Sequence, residues 1–317
     1  MFPALLTTFL FATSAICGYR TSKQIGGVEA NFWRIALATL FLTGWAFTCG
    51  HGFAGAPGWF FLSGFVGIGI GDSAYFQALP RLGSRRTILL CQCLTAPFAV
   101  LIEYLFLGAT LHGVELGCIA VILAGVGIAL KPDDHLQISA RDWRVGVIGS
   151  TIAALCTAVG SVLIRKGYQV AHGQGYILHA GDGPGMVLDA GTTGYQRVLG
   201  GILIPTVILL VVKWRSAQNH GPAFHSTTLR ITRDKWRRIW PWVLANALAG
   251  QTLGVTCMQW ALKTTQAGIV SAIIATTPVV LLPMTLIIEK EKIRAHSVIG
   301  AVIAVLGVIG LTWYRLK

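Results

Sequence analysis

A single carboxylate, Asp72, stands well inside an otherwise apolar stretch over residues 59–79. An ionisable group kept that deep in apolar surroundings is costly, so it either has a partner or has work to do. Two readings fit: a site for a proton or a cationic solute, or a carboxylate buried against backbone donors or a neighbouring arginine. Tyr75 lies one helical turn on and shares its face. Gln92, Ala96, Ala99 and Glu103 recur at helical spacing and form one stripe. Small residues between two polar ones suit a groove or close helix packing, and Glu103, near the end of its run, reads as an interfacial charge. Gln251, Val255 and Gln259 form another stripe, with Asn246 a turn before. Uncharged amides there would bond a polar solute or a neighbouring helix. Pro97 and Pro278 each interrupt an apolar run; proline removes a backbone hydrogen bond and bends the helix, so both are read as kinks with a gating or cavity role. Thr95, Thr276 and Thr277 beside them would satisfy the freed carbonyls or meet solute.

Other reactive types are less informative. Arg34 and Arg197 each open an apolar run, and are read as anchors whose long stems reach the lipid headgroups. Arg20 with Lys23 would suit an anionic solute. The seven cysteines lie mostly in apolar runs with no CxxC or Cys/His spacing; Cys91 and Cys93 point to opposite sides of a helix, so neither a metal nor a disulfide framework is expected. No nucleophile–base arrangement and no phosphate-binding glycine loop is visible. The reading is therefore not an enzyme, with no catalytic residue, cofactor or metal.

The elements that must position these groups are membrane spans. The chain has 317 residues, 54% hydrophobic and only 12% charged, about half the charge of a soluble chain. Residues 116–130 and 298–313 carry no charge at all. Runs apolar on every face need hydrocarbon or protein on all sides, and about 20 residues cross a bilayer. Ten spans are predicted, near 3–19, 31–49, 59–79, 87–107, 113–131, 145–165, 195–213, 241–262, 269–288 and 296–314. Trp33, Trp59, Trp143, Trp214, Trp240, Trp242, Trp260 and Trp313 fall near run ends, where an amphipathic ring prefers to sit. The net charge of +13 sits between apolar runs rather than on one face, which argues for loops facing lipid and against nucleic acid. The N-terminus lacks a basic leader and a small-residue cleavage site, so it is read as a retained first span. Two longer loops, 168–194 and 214–239, are too short to be domains.

The halves repeat. Gly67, Gly71 and Ala78-Leu79 recur 183 residues on as Gly250, Gly254 and Ala261-Leu262, and Gly117 and Gly127 recur at the same offset as Gly300 and Gly310. Pro97 answers Pro278 at 181, and Arg34 answers Arg197. Five helices per half is an odd number, so the second copy enters the membrane from the opposite side. The expected architecture is all-α: ten transmembrane helices as two inverted five-helix repeats, residues 1–131 and 145–317, joined by a linker at 132–144. Inverted repeats supply two mirror-related packings, the physical basis of alternating access; the alternative is a duplicated scaffold without transport.

The stretch Gly71 to Leu79, then Arg81-Leu82-Gly83-Ser84-Arg85, Ala96-Pro97 and Leu105 to Gly108, resembles the drug/metabolite transporter superfamily, specifically its EamA-type ten-helix members. Gly250 through Ala261-Leu262, Thr277-Pro278, Glu289 to Lys292 and Gly300 carry the same pattern in the second half, and Ala153 to Arg165 is similar to the helix that opens the family's second repeat. The resemblance covers nearly the whole chain outside the two loops, and its diffuse motifs speak to fold and class more than to substrate. It implies two inverted five-helix bundles around a central cavity, and a secondary transporter. The acidic residue after the Leu-Gly pair is Ala109 in the first half, with Glu291 in the equivalent place of the second. The first span holds no carboxylate, so the proton-coupling glutamate of small multidrug members has no counterpart.

Nineteen of the 25 basic residues fall in loops after odd-numbered spans. The positive-inside rule makes that side cytoplasmic and puts both termini outside, against the usual family orientation. The functional expectation is a multi-pass protein of the cell membrane that carries a small polar or amphipathic organic solute, driven by a proton or ion or by the solute's own gradient. An inorganic-cation carrier using Asp72 and Glu103 is the alternative, and a receptor or scaffold on a transporter fold a third. Expected partners are the solute, the bilayer and a coupling ion; a homodimer is compatible with the sequence.

Overall fold

A computed structural model describes residues 2–107, 112–129, 138–178, 185–218, 233–264, 270, 273–288 and 295–315. Among these are ten helices: α1 Phe2–Ile25, α2 Gly27–Thr48, α3 from Pro57 to Leu82, α4 Ser84–Leu107, α5 Gly113–Ala129, α6 Ala140–Gly173, α7 Ala190–Gln218, α8 from Arg233 to Thr264, α9 Thr277–Ile288 and α10 Ala295–Arg315. Each expected span has its helix. Several begin earlier or run longer than the apolar stretch, because a helix continues into polar residues where the bilayer ends. Thus α6 starts at Ala140, inside the expected linker, with Ser139 capping the amide of Asp142. Gly108, Ala109 and Glu289 to Lys292 lie outside the described residues, as does the side chain of Glu103.

Two connections are a single residue long. Gly26 joins α1 to α2 and Gly83 joins α3 to α4, both at φ 84°, a left-handed backbone that only glycine adopts at no steric cost. Two helices are not uniformly wound. α3 is α-helical over Pro57–Gly64, π-helical over Phe65–Asp72 and α-helical again over Ser73–Leu82. α8 repeats this, with Arg233–Asn246, a π-helical segment Ala247–Gly254, then Val255–Thr264.

The packing obeys one exchange rule, in which each helix is replaced by the one five places on. α1 packs on α8 as α6 packs on α3, and α4 lies on α6 as α9 lies on α1; α2 pairs with α7 and α5 with α10. In the α5–α10 pair, an added Cβ on Gly125 would stand 2.4 Å from the amide nitrogen of Ala304, and one on Gly300 2.4 Å from that of Ala129. Small residues let the two backbones meet, as they do between helices in lipid. The outward faces of the same helices expose Leu116, Leu123, Ile128, Ile299, Leu306 and Ile309. So continuous an apolar surface suits hydrocarbon, not water. α1, α6 and α7 are each long and apolar enough to cross a bilayer as single α-helical pieces; α3 and α8 reach that length once their π segments are counted. The chain is a multi-pass integral membrane protein.

Candidate functional site

The π segments bring glycine to the middle of the bundle. In α3 the Gly67 and Gly71 face lies on α6, where an added Cβ at Gly71 would stand 3.0 Å from that of Cys156. In α8 the Gly250 and Gly254 face lies on α1, against Ser14 and Phe11. Without side chains at these points, the bundle centre keeps a cavity of about 100 Å³. Helices α1, α2, α3, α4, α6, α7 and α8 all contribute to its wall, and the polar groups on it are Ser14, Arg34, Asp72, Tyr75, Gln92, Thr157, Arg197 and Gln251.

Asp72 closes the π segment of α3 and is held from two sides. Arg34 Nη2 donates to its Oδ2 at 2.7 Å, and Gln251 Nε2 donates to the same oxygen. Arg34 also donates to Asn31 Oδ1 at 3.0 Å and stacks on the ring of Phe76, 4.5 Å from its centroid. Asp72 is thus a carboxylate paired with an arginine, and it lines the cavity.

Arg34 and Arg197 correct the expectation of lipid anchors. They are 4% and 3% exposed, and both line the cavity. Each stands seven residues inside its helix, Arg34 from Gly27 and Arg197 from Ala190, about 10 Å below the helix start at 1.5 Å per residue. They reach the centre from opposite ends of the bundle. The placement is reciprocal: Arg197 Nη2 lies 2.9 Å from where a Cβ on Gly67 would be, and Arg34 Nη1 lies 3.3 Å from the same point on Gly250. Each repeat's arginine rests over the first glycine of the other repeat's π segment.

Of the residues singled out from sequence, Asp72, Tyr75, Gln92 and Gln251 line the cavity together. Asn246 stands behind the wall, accepting from the Ser14 hydroxyl at 2.7 Å. Gln259 is fully buried beside Gly194 of α7, away from the cavity. The two prolines differ. α4 continues through Pro97, whereas the backbone turns at Ala275 and Thr276 before α9 restarts with Pro278 in its first turn. Thr95, Thr276 and Thr277 all donate to backbone carbonyls, of Cys91, Ile273 and Ile274. Of these, only the Ile274 carbonyl is one that Pro278 leaves without its i+4 amide, and none of the three threonines lines the cavity. Arg20 donates to the Ile288 carbonyl and lies over the Trp242 ring, tying α1 to α8 and α9. No cluster of metal-ligating side chains occurs among the described residues.

Outside the membrane core, Asp189 sets the start of α7. Its carboxylate accepts from the Trp45 indole at 2.9 Å, the Thr192 amide at 2.8 Å and the Thr192 hydroxyl. Burial alone would raise its pKa, but these bonds outweigh burial and hold the carboxyl below its ordinary range.

A family model described as the EamA-like transporter family matches residues 1–131 and 192–313. Neither match includes α6, which takes its position in the packing by the exchange rule above. A solved structure described as "Crystal structure of protein" superposes with a TM-score of 0.62 at 16% identity, covering 99% of this chain and 98% of its own, which supports the fold. No curated protein matches the sequence.

Proposed function

The chain belongs to the EamA-like transporter family, and on that premise we propose that it is a secondary carrier of a small polar or amphipathic organic solute, working by alternating access around the central cavity. The observation that carries this reading is the cavity itself: a small, largely apolar chamber at the bundle centre, walled by both repeats, with charged groups reaching it from opposite ends. Repeats over 1–131 and 145–317, with 132–144 between them, would rock about the reciprocal α2–α7 and α5–α10 contacts. Asp72 is the group proposed to couple a proton or ion, since it alone among the described lining residues is acidic. The membrane proposed is the cell membrane, with both termini outside.

An inorganic-cation carrier is less well supported. The one carboxylate on the wall is already engaged by a guanidinium and an amide, and a second guanidinium shares the chamber. A cation would enter against that charge.

The test is counterflow of labelled solute in proteoliposomes, with amino acids, short organic acids, nucleosides, polyamines and sugars offered in turn. Exchange of at least one is expected, and Asp72→Asn is expected to remove it. Undiminished exchange in the variant would take Asp72 out of the site; no exchange of any solute, with a protein partner retained through purification, would favour a scaffold.

A further inference from the structure

The cavity carries an unbalanced charge. Two guanidinium groups, Arg34 and Arg197, face it, and Asp72 is the only acid among its described lining residues. Asp72 is paired with Arg34 at 2.7 Å. Arg197 is 3% exposed, and its Nε and Nη1 are buried without a hydrogen-bond partner. A guanidinium is charged at any physiological pH, and a buried charge without a partner is among the costliest groups a protein can keep. Arg197 lines the cavity, and its Nη2 lies 2.9 Å from where a Cβ on Gly67 would stand and 3.6 Å from the same point on Gly160.

A second residue of the same wall, Gln251, carries an orphan atom. A carboxylate only accepts, so the Gln251 end that meets Asp72 must be the amide nitrogen. Gln251 Oε1 is then the opposite end, and it is buried with no donor. The wall thus presents unanswered guanidinium donors and an unanswered acceptor.

We propose that Arg197 binds the carboxylate of a small organic monoanion, and that Gln251 Oε1 accepts from a hydroxyl group on the same molecule. This names the substrate class of the carrier proposed above and rests on that reading. The charge count selects a carboxylate over a phosphate ester. One unpaired positive charge is balanced by one negative, whereas a phosphate ester brings about 1.5 to 2 near neutral pH. Size agrees: the cavity, about 100 Å³, is small, which favours an acid of a few carbons.

The test uses the full-length protein purified in detergent and follows heat unfolding with lactate, its uncharged amide, inorganic phosphate and straight-chain acids of two to five carbons. Lactate is expected to protect, with its amide inert. Protection by the amide equal to that by the acid overturns the proposal, as does protection by phosphate alone or by none of the acids. Arg197→Gln is expected to weaken binding by about 10- to 100-fold, the loss of one or two charge-assisted hydrogen bonds, and Arg197→Lys less; unchanged binding in Arg197→Gln overturns it. If Arg197→Gln does not fold, the acid and amide comparison on the unaltered protein decides. Counterflow separates the two readings. Arg197-dependent protection without exchange keeps the anion site and removes the carrier, while exchange of a neutral or cationic solute with every acid inert does the reverse.

Discussion

A residue's role in this molecule depends on how far inside its helix it stands. Arg34 and Arg197 look like anchors because the apolar residues begin beside them; the helices that hold them begin a turn or two earlier, and that offset carries both guanidiniums into the core. Asp189 shows the reverse case, an acid outside the core that orders the turn entering α7. Asp189→Ala removes the acceptor for the Thr192 amide and the Trp45 indole, and is expected to cost about 1–2 kcal/mol, the worth of a helix cap. The pH dependence has a definite sign. The folded carboxyl titrates below its unfolded value of about 3.9, so its contribution is fully present above that value and disappears as pH falls through the folded one. Thermal melts should therefore show a constant gap between wild type and variant from neutral pH down to about pH 4, closing only below it. A gap that closes near neutrality would refute the assignment.

At the scale of elements, the π segments decide what the cavity contains. Ten apolar runs give ten helices because the bilayer imposes a minimum length, and an acid or amide inside such a run stands out; hence Asp72, Tyr75, Gln92 and Gln251 are legible as candidates. The wider winding of Phe65–Asp72 and Ala247–Gly254 is not, since its only trace is a spacing of glycines that also suits ordinary packing. In α8 the cavity face runs Gln251, Val255, Met258 at ordinary helical spacing, and Gln259, assigned to the same stripe, falls to one side of it, against α7. Close approach is also specific to position. An added Cβ at Gly64 would lie 1.7 Å from the carbonyl oxygen of Arg197, whereas one at Gly44 meets nothing within 4 Å. Gly64→Ala must part α3 from α7 and is expected to lose about 1–3 kcal/mol or more, displacing Arg197 with the backbone. Gly44→Ala should be neutral or gain up to about 1 kcal/mol from helix propensity. Denaturation of the two variants side by side checks both; equal stabilities would mean that α3 and α7 do not meet so closely.

For the whole molecule, the basic residues set the proposed orientation, and Cys49 offers a way to read it. It is exposed at the end of α2, opposite the Gly26 and Gly83 turns. With both termini outside, a membrane-impermeant maleimide added to intact cells should label the protein, and Cys49→Ser should abolish the label. Labelling only after permeabilisation would turn the molecule over. The pairing of Arg34 with Asp72 also has a kinetic corollary. The residue 183 places beyond Asp72 is Val255, so the twin arginine has no acid of its own. In the carrier proposed above, solute arriving from one side would first meet an arginine already neutralised, and from the other one still seeking a counter-ion. A carrier built this way saturates at different concentrations from its two faces, yet with no driving gradient its forward and reverse kcat/KM must stay equal. Influx and efflux would then differ only where solute is abundant enough to saturate, never at low supply and never in the final ratio they reach.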